Sequence, residues 1–214
     1  PIAAGRRLPV YRVLDTSGSM SGEPIEAVRQ GVKALLADLR GDPMALETAF
    51  LSVITFSSSA LQVCPLTELI QFQEPNLDAG GATSFGEALK TLDDCIDREV
   101  VKGSAEQKGD WKPLVFIMTD GQPTDSWEQN ADRIKNKKIG NIIACAAGPG
   151  ADEHMLKRVT EVVVKLNTLQ PEALQQFFKW VSSSIKTTSQ KIGPTSDGAP
   201  VDLPPPPPQI QIVP

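Results

Sequence analysis

The chain has 214 residues, 40% of them hydrophobic, and a formal charge of −5 from 26 acidic and 21 basic side chains. That length and apolar content can supply one sizeable core. The acidic balance, with no long basic stripe, argues against a general nucleic-acid binder, and no run of about 18 or more apolar residues marks a transmembrane helix.

No secretory leader pattern opens the sequence, which starts at Pro1 rather than Met. Cys64, Cys95 and Cys145 are far apart, odd in number and form no CxxC pair, so neither a zinc knuckle nor a disulfide framework is expected. Buried, reduced thiols and a cytoplasmic location are the expectation. The lone His154 has no second histidine or cysteine beside it and reads as an exposed helix residue.

Short apolar runs alternate with helical patterns, which signals β/α units. Residues 10–14 read as a strand, followed by Asp15-Thr16-Ser17-Gly18-Ser19. Pro24 suits a helix entrance, and Ile25, Val28, Val32, Leu35, Leu36 and Leu39 make one apolar face ending near Gly41-Asp42-Pro43. Residues 49–56 are almost continuously apolar, as in a strand buried on both faces. Ser57-Ser58-Ser59 then turns into a strand at 60–66, joined so closely that a hairpin and an antiparallel edge are predicted. Phe85, Ala88, Leu89, Leu92 and Ile96 form the next helical stripe, directly after Thr83 and Ser84.

A polar loop over 103–112 precedes a strand at 114–118, which leads into Thr119-Asp120-Gly121. A helix over 127–137, a strand over 141–146, a short helix over 153–159 and a strand over 162–166 follow. Pro171 opens a last helix with Leu174, Phe177, Phe178, Val181 and Ile185. Residues 1–192 thus predict one α/β domain: a doubly wound, mostly parallel six-stranded sheet with one antiparallel edge strand and helices on both faces. Residues 193–214, with five consecutive prolines from Pro204 to Pro208, read as an extended or disordered tail. That tail is either a passive tether or a polyproline ligand.

In doubly wound sheets ligands sit beyond the carboxyl ends of the strands, at the switch point. Asp15 and Asp120 each follow a core strand, and Thr83 opens a helix over the same edge. Three loops can therefore bring Asp15, Ser17, Ser19, Thr83 and Asp120 together. Two carboxylates and three hydroxyls offer only oxygen, which suits a hard cation and disfavours a soft transition metal. The small number of carboxylates favours Mg2+, with Mn2+ or Ca2+ as substitutes. An ion held mostly by hydroxyls stays electrophilic, so a Glu or Asp from a partner protein, or a substrate phosphate, would complete it.

Each piece alone has an ordinary structural use. The DxSxS string can be a turn with local side-chain to backbone bonds. Thr83 or Ser84 can cap a helix, and Asp120 before Gly121 can sit in a turn. Trp127 reads equally as a partner anchor or as part of the helix–sheet packing.

At these residues the sequence resembles the von Willebrand factor A domain family, whose metal-ion-dependent adhesion site combines DxSxS with a threonine and an aspartate. The likeness spans residues 6–190, and all five positions match. It implies that Ser17, Ser19 and Thr83 bind the ion directly while Asp15 and Asp120 act through water. The strings RRLPVY (6–11), DTSGSMSGEPIEA (15–27) and KGDWKPLVFIMTDGQPTD (108–125) are similar to the bacterial tellurite-resistance branch of that family. That branch implies a stress-response adaptor acting with a protein kinase and a PP2C-type phosphatase.

The predicted function is a metal-dependent protein-binding module without catalytic activity. The alternatives are metal-dependent phosphoryl transfer and direct binding of an oxyanion such as tellurite. A DxDx[TV] phosphoryl acceptor would need Asp where Ser17 stands. GSMSG places Met20 where G-x-S-x-G needs its nucleophile, and no GxxxxGK[ST] loop is present.

Overall fold

In the computed structural model, which describes residues 6–191 and 202–214, the apolar run Leu8–Asp15 forms β1 and every one of its residues is buried. It lies between β2 (Ala49–Phe56) and β4 (Leu114–Thr119), parallel to both. β5 (Asn141–Ala147) and β6 (Val162–Leu166) continue the parallel sheet beyond β4. β3 (Ala60–Glu68) returns antiparallel on β2, as the three-serine turn predicts. The order is β3-β2-β1-β4-β5-β6-β7, with β7 at Gln211–Ile212. The chain leaves β1 toward one side for β2 and returns on the other side with β4, so the switch point lies between β1 and β4.

Alternation along β1 feeds two cores. Leu8, Val10 and Leu14 pack with α1 (Glu23–Arg40) and α6 (Pro171–Lys191) on one face. Tyr11 and Val13 pack on the other with α3 (Phe85–Glu99), α4 (Glu128–Lys137) and α5 (Glu153–Val159). α1 and α6 approach closely because Gly31 lacks a side chain: a Cβ there would lie 2.4 Å from a ring carbon of Phe178.

Two elements differ from expectation. A short helix, α2 (Pro43–Thr48), follows α1 where only a stop is legible; the Asp42 carboxylate accepts from Ala45 N at 3.0 Å, and Pro43 sits in the first turn. The sheet has seven strands and two antiparallel edges instead of six and one, because part of the segment read as a tail pairs with β6 as β7. Ile210 is buried and Leu203 packs on the α1–α6 side, and the alternation Ile210-Gln211-Ile212 after the prolines supplies strand character. The tail's earlier part, 193–201, falls outside the described residues.

The sheet also buries a charge. Arg12 lies 1% exposed on the α1–α6 face of β1, and its guanidinium meets Glu74 at 3.0 Å and sits over the Phe72 ring at 5.2 Å. Burial pushes the Glu74 carboxyl up by more than Arg12 pulls it down, and Arg12 Nε has no partner among the described residues. Buried pairs of this kind add little net stability because desolvation offsets the attraction, and the contact ties β1 to the segment between β3 and α3 that carries Thr83. Glu74→Ala should cost about 3–5 kcal/mol in urea unfolding by stranding Arg12, whereas Arg12→Met combined with Glu74→Leu should return to within about 1 kcal/mol of the parent. Equal losses in the single and double variants would contradict this.

Candidate metal centre

β1 ends at Asp15, and both of its carboxylate oxygens are engaged. Oδ1 accepts from Ser17 N at 2.8 Å, a local turn of the kind that Asp favours. Oδ2 accepts from the Thr119 hydroxyl at 2.7 Å and from Asp120 N at 3.4 Å, which ties the end of β1 to the end of β4. The turn also makes a single 3-10 turn at Gly18–Met20 that aims the two serine hydroxyls together. Ser17 Oγ lies 3.0 Å from Ser19 Oγ, and Ser19 Oγ donates to Asp120 Oδ1 at 2.8 Å. Four of the five expected residues thus form one connected cluster. Asp15, Ser17 and Asp120 are buried, while Ser19 is exposed, so the cluster opens to solvent on that side.

Thr83 arrives on a separate segment joined to both other loops. Gly18 N donates to Gly81 O at 3.0 Å and Gly80 N to Thr16 O at 2.9 Å. Gly81 has φ +82° and runs against Ser58, where a Cβ would lie 2.4 Å from the Ser58 hydroxyl. Both facts favour glycine there. Thr83 N donates to Thr124 Oγ1, and Thr124 N donates to Thr83 O, each at 2.9 Å. The Thr83 side chain is buried but makes no hydrogen bond to the other four residues among those described.

The capping alternatives resolve differently from either expectation. Ser84 occupies the N-cap position of α3 but makes no side-chain cap; its hydroxyl donates to Ser58 O at 2.9 Å. The cap comes from Asp125, whose two oxygens accept from Gly86 N and Glu87 N at 2.9 Å each. Thr119, Thr124 and Asp125 are therefore site-building residues that sequence reading missed. Thr119 and Asp125 stood in plain view, directly before Asp120 and within the quoted TDGQPTD string, but their partners lie more than thirty residues away. Trp127 is half-buried, its ring 6.5 Å from that of Phe85 with the Arg158 guanidinium 5.6 Å from its centroid.

Electrostatics matches the geometry. Burial, with the Asp15 charge nearby, pushes the Asp120 carboxyl up to about 6 against the pull of the Ser19 hydroxyl. Two carboxylates held together at a buried strand end are a place where a cation lowers the energy. Among the described residues no three or more His, Cys, Asp and Glu gather as a metal cage. Any ion at this position relies on hydroxyl oxygens, and the donor set fits a hard dication. Asp125→Ala removes both cap bonds of α3 and should cost about 1–2 kcal/mol, read as a shift of the urea midpoint at unchanged slope. A change within about 0.3 kcal/mol, well below the usual cost of losing a cap, would show that Asp125 is dispensable for the loop that carries Thr83.

Comparison with known proteins agrees with this architecture. The family profile of the von Willebrand factor type A domain matches residues 10–187. Uncharacterized protein sll0103 of Synechocystis sp. is 30% identical over 144 residues, covering 64% of this chain and 30% of that protein. The E3 ubiquitin-protein ligase WAVH1 of Arabidopsis thaliana is 30% identical over 139 residues, 57% of this chain and 19% of its own length. The chain thus spans less than a third of the curated relatives it matches. Among solved structures, a von Willebrand factor type A protein from Catenulispora acidiphila superposes with TM-score 0.64 at 18% identity, over 85% of this chain and 43% of that one. Proximal thread matrix protein 1 of the mussel byssus, with a zinc-occupied MIDAS motif, gives TM-score 0.61 at 21% identity, over 83% of this chain and 48% of that one. At these identities the structural likeness speaks for the fold, and no helix among the described residues is long and apolar enough to cross a membrane. On the match of the family profile and the seven-stranded, doubly wound sheet, the chain belongs to the von Willebrand factor type A domain family.

Proposed function

We propose that Asp15, Ser17, Ser19, Thr83 and Asp120 hold a divalent cation, Mg2+ with Mn2+ or Ca2+ as substitutes, and that the domain uses it to bind a partner protein through an acidic side chain. The observation that carries this reading is the Ser19 hydroxyl, bonded to Ser17 on one side and to Asp120 on the other at the solvent-facing rim of the cluster. Both Asp15 oxygens are occupied by protein donors, which leaves the hydroxyls and Asp120 as the groups free to turn toward an ion. A dication bound there supplies an electrophilic corner that favours an anionic oxygen. The zinc-occupied motif of the mussel protein supports divalent-metal binding at this place in the fold. The lack of imidazole and thiolate in the five-residue set favours Mg2+ here.

The finer reading follows the motif likeness of residues 6–11, 15–27 and 108–125 to the tellurite-resistance protein TerY. It makes the chain a cytoplasmic adaptor in bacterial tellurite resistance, with a protein kinase and a PP2C-type phosphatase as partners. Binding is favoured over catalysis by the nucleophiles themselves. Burial pushes up the thiols of Cys64, Cys95 and Cys145, and Ser19 bonds to a carboxylate and a hydroxyl instead of an imidazole.

Capture of partners from cell lysate should occur in Mg2+ and fail in EDTA, and Asp15→Ala should abolish it while circular dichroism stays unchanged. Titration calorimetry of the same variant should show Mg2+ affinity reduced by about 10–100-fold, as for loss of a group that orients metal ligands. Partner capture that persists in EDTA would overturn the reading. Heat from tellurite titrated into the Mg2+-loaded protein would favour direct oxyanion binding instead.

A further inference from the structure

At the opposite end of the sheet from the metal centre, Trp180 of α6 is nearly buried and its indole N–H donates to Pro204 O at 2.9 Å. A buried indole N–H needs an acceptor, and a proline-rich segment is well suited to supply one. Its carbonyls have no internal hydrogen bonds, and its extended shape is already set, so little entropy is lost on docking. Aromatic-lined grooves recognise polyproline segments in this way.

The contacts on either side of Trp180 extend the pattern. Leu203 packs on the core shared by α1 and α6. Pro207 O accepts from Ile210 N at 2.9 Å, turning the chain, and the buried Ile210 anchors the turn. Gln211 and Ile212 then pair with Lys165 and Val164 of β6, and Val213 N donates to Val163 O at 2.9 Å. Beside the prolines the groove continues into a cleft of about 1260 Å³, whose walls include Trp111, Ile139, Val162 and Pro206. The strand part is held weakly: β7 has two residues, both exposed, with Ile212 66% accessible. Short edge pairing of this kind opens readily.

We infer that Trp180 and the β6 edge form a peptide-binding groove, distinct from the metal centre, for proline-rich segments that run into a short β-strand, and that residues 202–214 are its ligand in cis. The same motif presented in trans competes for the groove by the same two devices, an indole-to-carbonyl bond and strand addition. The groove stands or falls independently of the metal, since none of its contacts involves Asp15, Ser17, Ser19, Thr83 or Asp120.

Amide hydrogen exchange on the isotopically labelled full chain tests this. Within residues 210–213, the Ile210 and Val213 amides, which donate to Pro207 O and Val163 O, should be protected in the chain alone. An excess of unlabelled synthetic peptide of sequence DLPPPPPQIQIVP should displace the tail and raise exchange there by about fivefold, the worth of one typical hydrogen bond, leaving β1 and β4 unchanged. The same peptide with the five consecutive prolines that match Pro204–Pro208 replaced by alanine should have no effect. Trp180→Phe should loosen residues 210–213 to a similar degree, and should that variant fail to fold, the peptide experiment decides alone. Residues 210–213 unprotected in the parent, or the alanine peptide equal to the proline one, would overturn the groove.

Discussion

Everything at the functional end of this molecule depends on two strand ends being held together by their own polar groups. Asp15 closes β1, Asp120 follows β4, and the Thr119 hydroxyl and Asp120 N–H both point to one oxygen of Asp15. Parallel pairing of β1 with β4 sets the distance, and the reversal of chain direction across the sheet opens the space above it. Burial and, after it, the nearby Asp15 charge push the Asp120 carboxyl up, and the raised carboxyl records the cost of placing two carboxylates together at a buried strand end. The serine hydroxyls relieve part of it, and the rest is what makes the place receptive to a cation.

The surrounding loops convert that junction into a site. Paired backbone bonds join the Gly80–Gly81 segment to the Asp15 loop, and a reciprocal pair joins Thr83 to Thr124. Asp125 then fixes the start of α3 behind Thr83, and the buried Arg12–Glu74 pair anchors the other end of the same segment. Few of these bonds are strong alone. Together they hold three distant stretches of chain in one register, which is the requirement for oxygen donors that must meet around an ion within a few tenths of an ångström. The strand beginnings carry the tail and Trp180, so the two ends of the sheet present different chemistry.

Much of the fold was legible because periodicity reports burial directly. The continuous apolar runs of β1, β2 and β4 and the stripe of α1 allow few other arrangements. The gathering of Asp15, Ser17, Ser19 and Asp120 into one hydrogen-bonded cluster was legible because they follow core strands, at the sheet edge where doubly wound sheets place ligands. What escaped was non-local or masked by composition. The Asp125 cap joins a loop to a helix almost forty residues away, and nothing in QPTDSW announces it. α2 hid behind Gly41 and Pro43, which signal a stop but also start a helix when Asp42 caps it. β7 hid behind five prolines, since composition argues for disorder while the alternation Ile210-Gln211-Ile212 is too short to outweigh it.

The central claim is that oxygen donors from three segments share one cation. A crystal structure grown in Mn2+ tests it most directly through anomalous scattering. A single strong peak is expected in contact with the Ser17 and Ser19 hydroxyls, with Thr83 and Asp120 around it and a corner open to solvent or to a neighbouring carboxylate. A well-ordered site with no peak at saturating Mn2+, or a peak bound elsewhere while Ser19 still donates to Asp120, would contradict it.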